Sequence, residues 1–158
     1  MMPLWKAVGA AAAAAIGVAV LGGLSTDIGT WYAGLRQPPW KPPDAWFGPA
    51  WTLIYALTAM AGVTAWRGTM SSRERDWLLI AFAFNAFLNV LWSLLFFRLR
   101  RPDWAFAEVV FFWSSIVLLM GVSWRMSRLA ALLLLPYLLW VTFAALLNLE
   151  VVRLNGPF

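Results

Sequence analysis

The 158-residue chain has no cysteine and no histidine. Without cysteine no disulfide can form, and the redox character of its compartment leaves no trace in the sequence. The same two absences remove the commonest ligands of zinc and of haem iron, so neither a zinc centre nor a His- or Cys-ligated haem fits, and no metal site is expected. Serine–histidine and cysteine–histidine catalysis are excluded with them. Charge is scarce too: Asp, Glu, Lys and Arg make up 12% of the residues, about half the share of an average soluble domain. Internal repeats and low-complexity tails are also missing.

Apolar residues are abundant, at 63% of the chain, with a mean hydropathy of +0.74. A single domain of this length has no interior large enough to hide that surface. Lipid must be its solvent. Five apolar segments are each long enough for a hydrocarbon core of about 30 Å, which takes roughly 20 residues of helix: Leu4–Leu24, Gly48–Trp66, Trp77–Phe97, Asp103–Trp124 and Leu129–Val152. The short links after the second, third and fourth segments force antiparallel neighbours. The expectation is an all-α membrane protein, one domain over 1–158, with a five-transmembrane-helix bundle and a Pro/Trp-rich loop over 25–47. The runs do not alternate with period two, which disfavours a β-barrel, and an odd span count disfavours a simple inverted-repeat transporter.

The first span invites a second reading as a signal peptide, with Lys6 as its basic region. The apolar stretch runs on to Leu24 without a small-x-small cleavage site, so a retained helix is expected. Its Gly9, Ala13 and Gly17, and its Ala11, Ala15, Ala19 and Gly23, recur every fourth residue. Such stripes allow close approach of a sister span or of a second subunit. The net charge of +5 comes from cations at the ends of apolar runs, as in RLRR (98–101) and SSRER (71–75). That placement suits lipid headgroups and not nucleic acid. Counted by side, six Lys/Arg oppose six, which leaves orientation open.

Within the spans, polar and aromatic residues fall at helical spacing: Trp51, Tyr55 and Gly62; Asn85, Asn89, Trp92 and Phe96; Trp104, Glu108, Phe111 and Ser115; Tyr137, Trp140, Ala144 and Asn148. Trp5, Trp66, Trp77, Trp104 and Trp124 lie near span ends, where an interfacial aromatic belt accounts for them. Trp92, Trp113 and Trp140 are deeper and suit core packing or a pocket wall equally. An amide facing lipid would leave several polar groups unpaired. Asn85, Asn89 and Asn148 should therefore point inward, either bonding across helices or lining a cavity. Glu108, the single acid well inside a span, has no second carboxylate or nucleophile beside it, which argues against hydrolysis.

The first loop contains QPPWKPPDAWFGPAW (37–51), with five prolines and three tryptophans. Each proline fixes its own φ and turns the preceding residue away from helix. The segment is therefore stiff, and its aromatics cannot all stay in water cheaply. A flap folded over one end of the bundle satisfies both facts; a segment lying flat among headgroups is the alternative.

WYAGLRQPPWKPPDAWFGPAWTLIY (31–55), FNAFLNVLWSLLFF (84–97), WAFAE (104–108) and PYLLWVTFAALLN (136–148) together resemble the translocator proteins, also called tryptophan-rich sensory proteins or peripheral-type benzodiazepine receptors. The resemblance covers nearly the whole chain and is to a bacterial-type member, which favours a bacterial membrane. It implies a homodimer of five-helix bundles with a ligand cavity closed by the first loop. It implies hydrophobic ligands, chiefly tetrapyrroles such as protoporphyrin IX, and no obligatory cofactor. Carried over residue by residue, the pocket would be lined by Tyr32, Pro42, Trp51, Asn89, Trp92, Trp104, Ala107, Phe111, Trp140, Ala144 and Leu147. Trp51 and Trp140 match the two tryptophans tied to light-driven porphyrin breakdown. The animal sterol motif is broken: Arg153 is kept, but Leu149 stands where the motif has tyrosine. The functions so implied are a tetrapyrrole-binding protein in transport, sensing or stress regulation, a porphyrin-degrading enzyme, and, disfavoured by the absence of paired intramembrane charges, a small-molecule exporter.

Overall fold

The structure, a computed structural model, describes residues 3–158. Among these residues every regular element is helical. The long helices are α1 (Leu4–Ser25), α3 (Phe47–Arg67), α4 (Ser72–Ser93), α5 (Pro102–Met126) and α7 (Leu135–Asn155); α2 (Thr30–Ala33) and α6 (Arg128–Leu133) are short. Four helical stretches are long and apolar enough to cross a membrane: α1, α4 with its extension to Arg98, α5, and α6 with α7. The fifth expected segment forms α3 but falls short of that apolarity. It carries Trp51, Thr52, Tyr55, Thr58, Thr64 and Trp66, which hydropathy scores as nearly neutral.

Local chemistry sets the boundaries. α4 begins at Ser72, five residues before the expected Trp77, because Ser71 and Glu74 form a capping box. Ser71 Oγ accepts from the Glu74 amide at 3.2 Å, and Glu74 Oε2 accepts from the Met70 and Ser71 amides at 2.6 and 3.2 Å. The expected last span is divided at Leu134. Pro136 has no N–H and its ring collides with the carbonyl four residues back, so the helix restarts there. At its far end α4 widens into a π-helical turn, Leu94–Arg98, closed by the Leu99 amide on the Leu94 carbonyl at 2.9 Å. Between α3 and α4, Gly68 abuts the end of α5: a Cβ there would lie 2.3 Å from the Met126 carbonyl oxygen.

α5 supplies the centre of the bundle. Its Val109, Phe112, Ile116 and Leu119 are buried in the main apolar cluster with Ile54, Leu88, Leu134, Tyr137 and Val141, and its Ala105 in a smaller one with Phe96 and Val151. Large apolar side chains such as Ile16, Leu53, Phe87, Val110 and Leu139 are exposed on the outside. In water such a surface would drive aggregation; in hydrocarbon it is the expected lipid-facing coat.

The connection from Thr26 to Trp46 folds back onto the helices instead of extending away. Trp31 meets Phe96 edge to face with ring centres 6.2 Å apart, Tyr32 meets Phe97 at 5.6 Å, and Trp40 meets Phe143 at 5.8 Å. The Asn155 side chain at the end of α7 clasps the loop backbone: Oδ1 accepts from the Arg36 amide at 2.7 Å, and Nδ2 donates to the Arg36 carbonyl at 2.9 Å. Arg98 Nη2 donates to the Leu24 carbonyl at 2.6 Å, satisfying one of the free carbonyls at the end of α1. Trp46, by contrast, remains exposed.

Candidate functional site

Beneath this connection lies a cavity of about 480 Å³, bounded by α1, α3, α4, α7 and the loop. Two aromatic groups form its sides. On α3 and α7, Trp51 stacks on Tyr55 with centres 5.4 Å apart and meets Trp140 edge to face at 6.5 Å and 87°. Phe47 closes on Trp140 at 5.6 Å. On α4, Trp92 stacks on Phe96 at 5.2 Å and meets Phe97 at 6.1 Å. Phe96 and Phe97, consecutive within the π-helical turn, both border the cavity, with ring centres 4.8 Å apart. On α1, Gly22 borders the cavity beside Tyr55, whose Oη a Cβ at that position would meet in ordinary van der Waals contact at 3.5 Å.

The floor is a hydrogen-bonded septum. Tyr55 Oη donates to Asn89 Oδ1 at 3.0 Å, Asn89 Nδ2 donates to Tyr137 Oη at 3.0 Å, and Tyr137 Oη donates to Asn85 Oδ1 at 3.1 Å. Asn85 Nδ2 then donates to Ser115 Oγ at 2.9 Å. A second bridge runs from Trp92 Nε1 to Asn148 Oδ1 at 3.1 Å and from Asn148 Nδ2 to the Pro102 carbonyl at 2.8 Å. All three asparagines point inward and bond across helices, while Asn89 and Asn148 also border the cavity. These bonds fix the aromatic rings that rest on them.

At the loop end, Asp44 Oδ1 accepts from Tyr32 Oη at 3.1 Å and from Lys41 Nζ at 2.5 Å. Lys41 Nζ lies 5.8 Å from the ring centres of both Tyr32 and Phe47, positions suited to cation–π attraction. The Lys41 hydrogen bond holds the Asp44 carboxyl below its ordinary range. Burial and the neighbouring Asp44 carboxylate push the Tyr32 phenol well above its own. Elsewhere on the wall, Trp140 Nε1 and Gln37 Nε2 are buried donors without a protein acceptor. Among the described residues no three acidic side chains cluster closely enough to hold a metal ion.

Of the residues the family resemblance assigned to a pocket, Tyr32, Trp51, Asn89, Trp92, Trp140, Ala144 and Leu147 line this cavity. Trp104, Ala107 and Phe111 do not. They share the outer face of α5, Trp104 and Phe111 being 50% and 66% exposed, and the Arg101 guanidinium covers the Trp104 ring at 4.2 Å. The opposite face of that helix packs inward, so α5 buttresses the cavity from behind. Pro42 stays in the loop off the wall, its carbonyl accepting weakly from Lys41 Nζ at 3.4 Å. Glu108 is buried, also off the wall, with neither carboxyl oxygen hydrogen-bonded. Trp113 is half-exposed and donates to Thr142 Oγ1 at 2.8 Å. Wall residues that pattern reading did not supply include Gly22, Gln37 and Phe97. A glycine pair near the end of an apolar span and a double phenylalanine were the available signals.

Residues 10–154 match the model of the TspO/MBR family. The chain is 39% identical to the tryptophan-rich protein TspO of Chlorobaculum tepidum over 129 residues, covering 79% of each chain. It is 37% identical to the tryptophan-rich protein TspO of Archaeoglobus fulgidus, covering 82% of this chain and 83% of that one. To the translocator protein of Sus scrofa it is 37% identical, over 79% of this chain and 75% of that one.

Proposed function

The chain belongs to the TspO/MBR family and is an integral membrane protein, and from that premise we propose that it is a receptor for flat, hydrophobic ligands of the tetrapyrrole class, acting in transport, sensing or stress regulation. The observation that carries this reading is the pair of aromatic walls, Trp51–Trp140 and Trp92–Phe96–Phe97, facing a cavity of about 480 Å³. That volume lies in the usual range for small-molecule sites. Aromatic walls favour stacking on a conjugated plane. With no histidine or cysteine to ligate iron, the macrocycle would be held by its faces and its edges. Trp140 Nε1 and Gln37 Nε2 lack acceptors, which carboxylates or carbonyls on a ligand's rim would supply. In this reading α3 is the fifth span, the Thr26–Trp46 connection is the lid, and the protein works as a homodimer.

A second reading rests on one distance. Trp51 and Trp140 stand 6.5 Å apart on the same wall, close enough to relay an electron between a light-excited porphyrin and dioxygen, the oxidant that porphyrin breakdown requires. Titration of purified protein with protoporphyrin IX, followed by tryptophan fluorescence, tests the receptor. Saturable quenching that Trp51→Phe and Trp140→Phe weaken is expected. Quenching that is unaffected by either substitution, or that never saturates, overturns it. Illumination of the same samples tests the enzyme: pigment loss faster than in protein-free detergent, abolished in either variant while binding persists, would establish it.

A further inference from the structure

A second cavity, of about 350 Å³, lies on the other side of the septum between α1, α3 and α4 and shares only Tyr55 with the first. Its long walls are Ala7 to Val18 on α1 and Tyr55 to Trp66 on α3. Each is eleven residue steps, about 16 Å at the helical rise. That is close to one leaflet of a hydrocarbon core about 30 Å thick. The slot starts beside the interfacial end of α3 and stops at Tyr55, Asn85 and Tyr137, which are hydrogen-bonded to each other or to Asn89.

Its mouth faces sideways. Ala10 and Ala14 of α1 and Leu79 and Ala83 of α4 line the slot and are exposed on the flank of the protein, which in a membrane is the side that meets lipid chains. Alanine, valine, leucine and phenylalanine make up most of the lining. The polar groups are Tyr55, Asn85 and Tyr137 at the septum, Thr58 one turn from them, and Trp66 at the interfacial end, with Thr58 Oγ1 and Trp66 Nε1 buried without a protein partner. The long apolar stretch between the two ends favours a slim hydrocarbon chain over a ring bearing polar substituents. At the interfacial end the chemistry reverses. Lys6 and Arg67 adjoin the slot residues Ala7 and Trp66, and the Arg75 guanidinium lies 5.5 Å from the Trp66 ring centre. Arg75 spends Nε on Thr69 Oγ1 at 3.1 Å, leaving its terminal amino groups without a partner among the described residues. Of the two acids nearby, Glu74 is engaged in the capping box, and only Asp76 offsets these cations.

We propose that this slot holds one acyl chain of an anionic glycerophospholipid, inserted sideways between α1 and α4, with the phosphate among Lys6, Arg67 and Arg75 and the chain end against the septum. Cations at the interface attract anionic headgroups, and the apolar slot accepts the tail that hangs from such a head. The site is independent of the Trp51–Trp140 cavity and stands whether or not that cavity binds a tetrapyrrole.

The test uses full-length protein in phosphatidylcholine vesicles containing phosphatidylglycerol with a photoactivatable diazirine midway along one chain, followed by peptide mapping. Adducts are expected on the interior residues Ala59, Gly62 and Phe82, besides those on the outer coat. Ala14→Phe and Ala83→Phe each plug the mouth from an exposed position, so one serves if the other fails to fold. Either should lower interior labelling about tenfold, equivalent to about 1.4 kcal/mol of lost binding. Ala13→Phe, exposed on α1 but off the slot, should leave it unchanged. Interior labelling that survives both plugging variants overturns the proposal. So does labelling that appears only on dilution to monomer, since a second copy would then be covering the mouth. Equal labelling from a phosphatidylcholine probe would overturn the anionic headgroup.

Discussion

Replacing Asn155 with alanine should loosen the loop over the cavity without touching the cavity itself. The amide pairs with both main-chain groups of Arg36, at 2.7 and 2.9 Å, across 119 residues of sequence. A net hydrogen bond contributes about 0.5–1.5 kcal/mol, and these two are exposed enough for water to compete, so the pair is worth about 1–2 kcal/mol. Loss of that amount multiplies the open fraction of the loop about 5- to 30-fold. Asn155→Asp keeps the acceptor and loses the donor, and should fall between. Arg36→Ala should change little, because the clasp grips backbone and not the guanidinium. Amide exchange across residues 31–40 reads the opening directly; on the receptor reading proposed above, faster protoporphyrin IX release, followed by fluorescence, is its consequence. Exchange unchanged in Asn155→Ala, or raised as much by Arg36→Ala, refutes the reasoning.

The septum offers a stability test: Tyr137→Phe strips the hydroxyl that accepts from Asn89 and donates to Asn85, leaving two buried amides short of partners, and should cost about 1–3 kcal/mol in detergent unfolding. Gly68→Ala forces a methyl group to within 2.3 Å of the Met126 carbonyl, and should destabilise by about 1–3 kcal/mol, since the neighbour is backbone and cannot swing aside. The Lys41–Asp44–Tyr32 contact has a defined pH sense. Asp44 is lowered when folded, so its contribution is fully present above the ordinary carboxylate pKa of about 3.9 and is lost as pH falls through the depressed value. Loop protection should therefore be flat from neutral pH to about 5 and decline only below about 4, whereas Asp44→Asn should be weakened at every pH; a wild-type decline near neutrality would contradict this.

Some of the site could be read directly from the residues. Prolines that forbid helix over 38–43 mark where the chain must turn, and the aromatics beside them had to find cover. Asn85, Asn89 and Asn148 had to face inward because lipid offers an amide nothing. Other features could not be read this way. Trp104, Ala107 and Phe111 sit at helical spacing as good as that of Asn89, Trp92 and Phe96, yet face outward. In water a polar face identifies the outside of a helix; in a bilayer both faces are apolar and periodicity no longer distinguishes them. The π-helical turn that carries Phe96 and Phe97 left no such mark, and neither did Asn155, whose partner lies 119 residues away.

The sequence by itself determined that this chain is helical, solvated by lipid and stiff at its first loop, because composition, run length and proline geometry act locally and need no partner. Only the tertiary structure decided which aromatics meet across a cavity, that a septum divides one hollow from another, and that α5 supports the wall instead of lining it. Those outcomes depend on the rotation of each helix about its own axis, which is set by packing between segments distant in the chain.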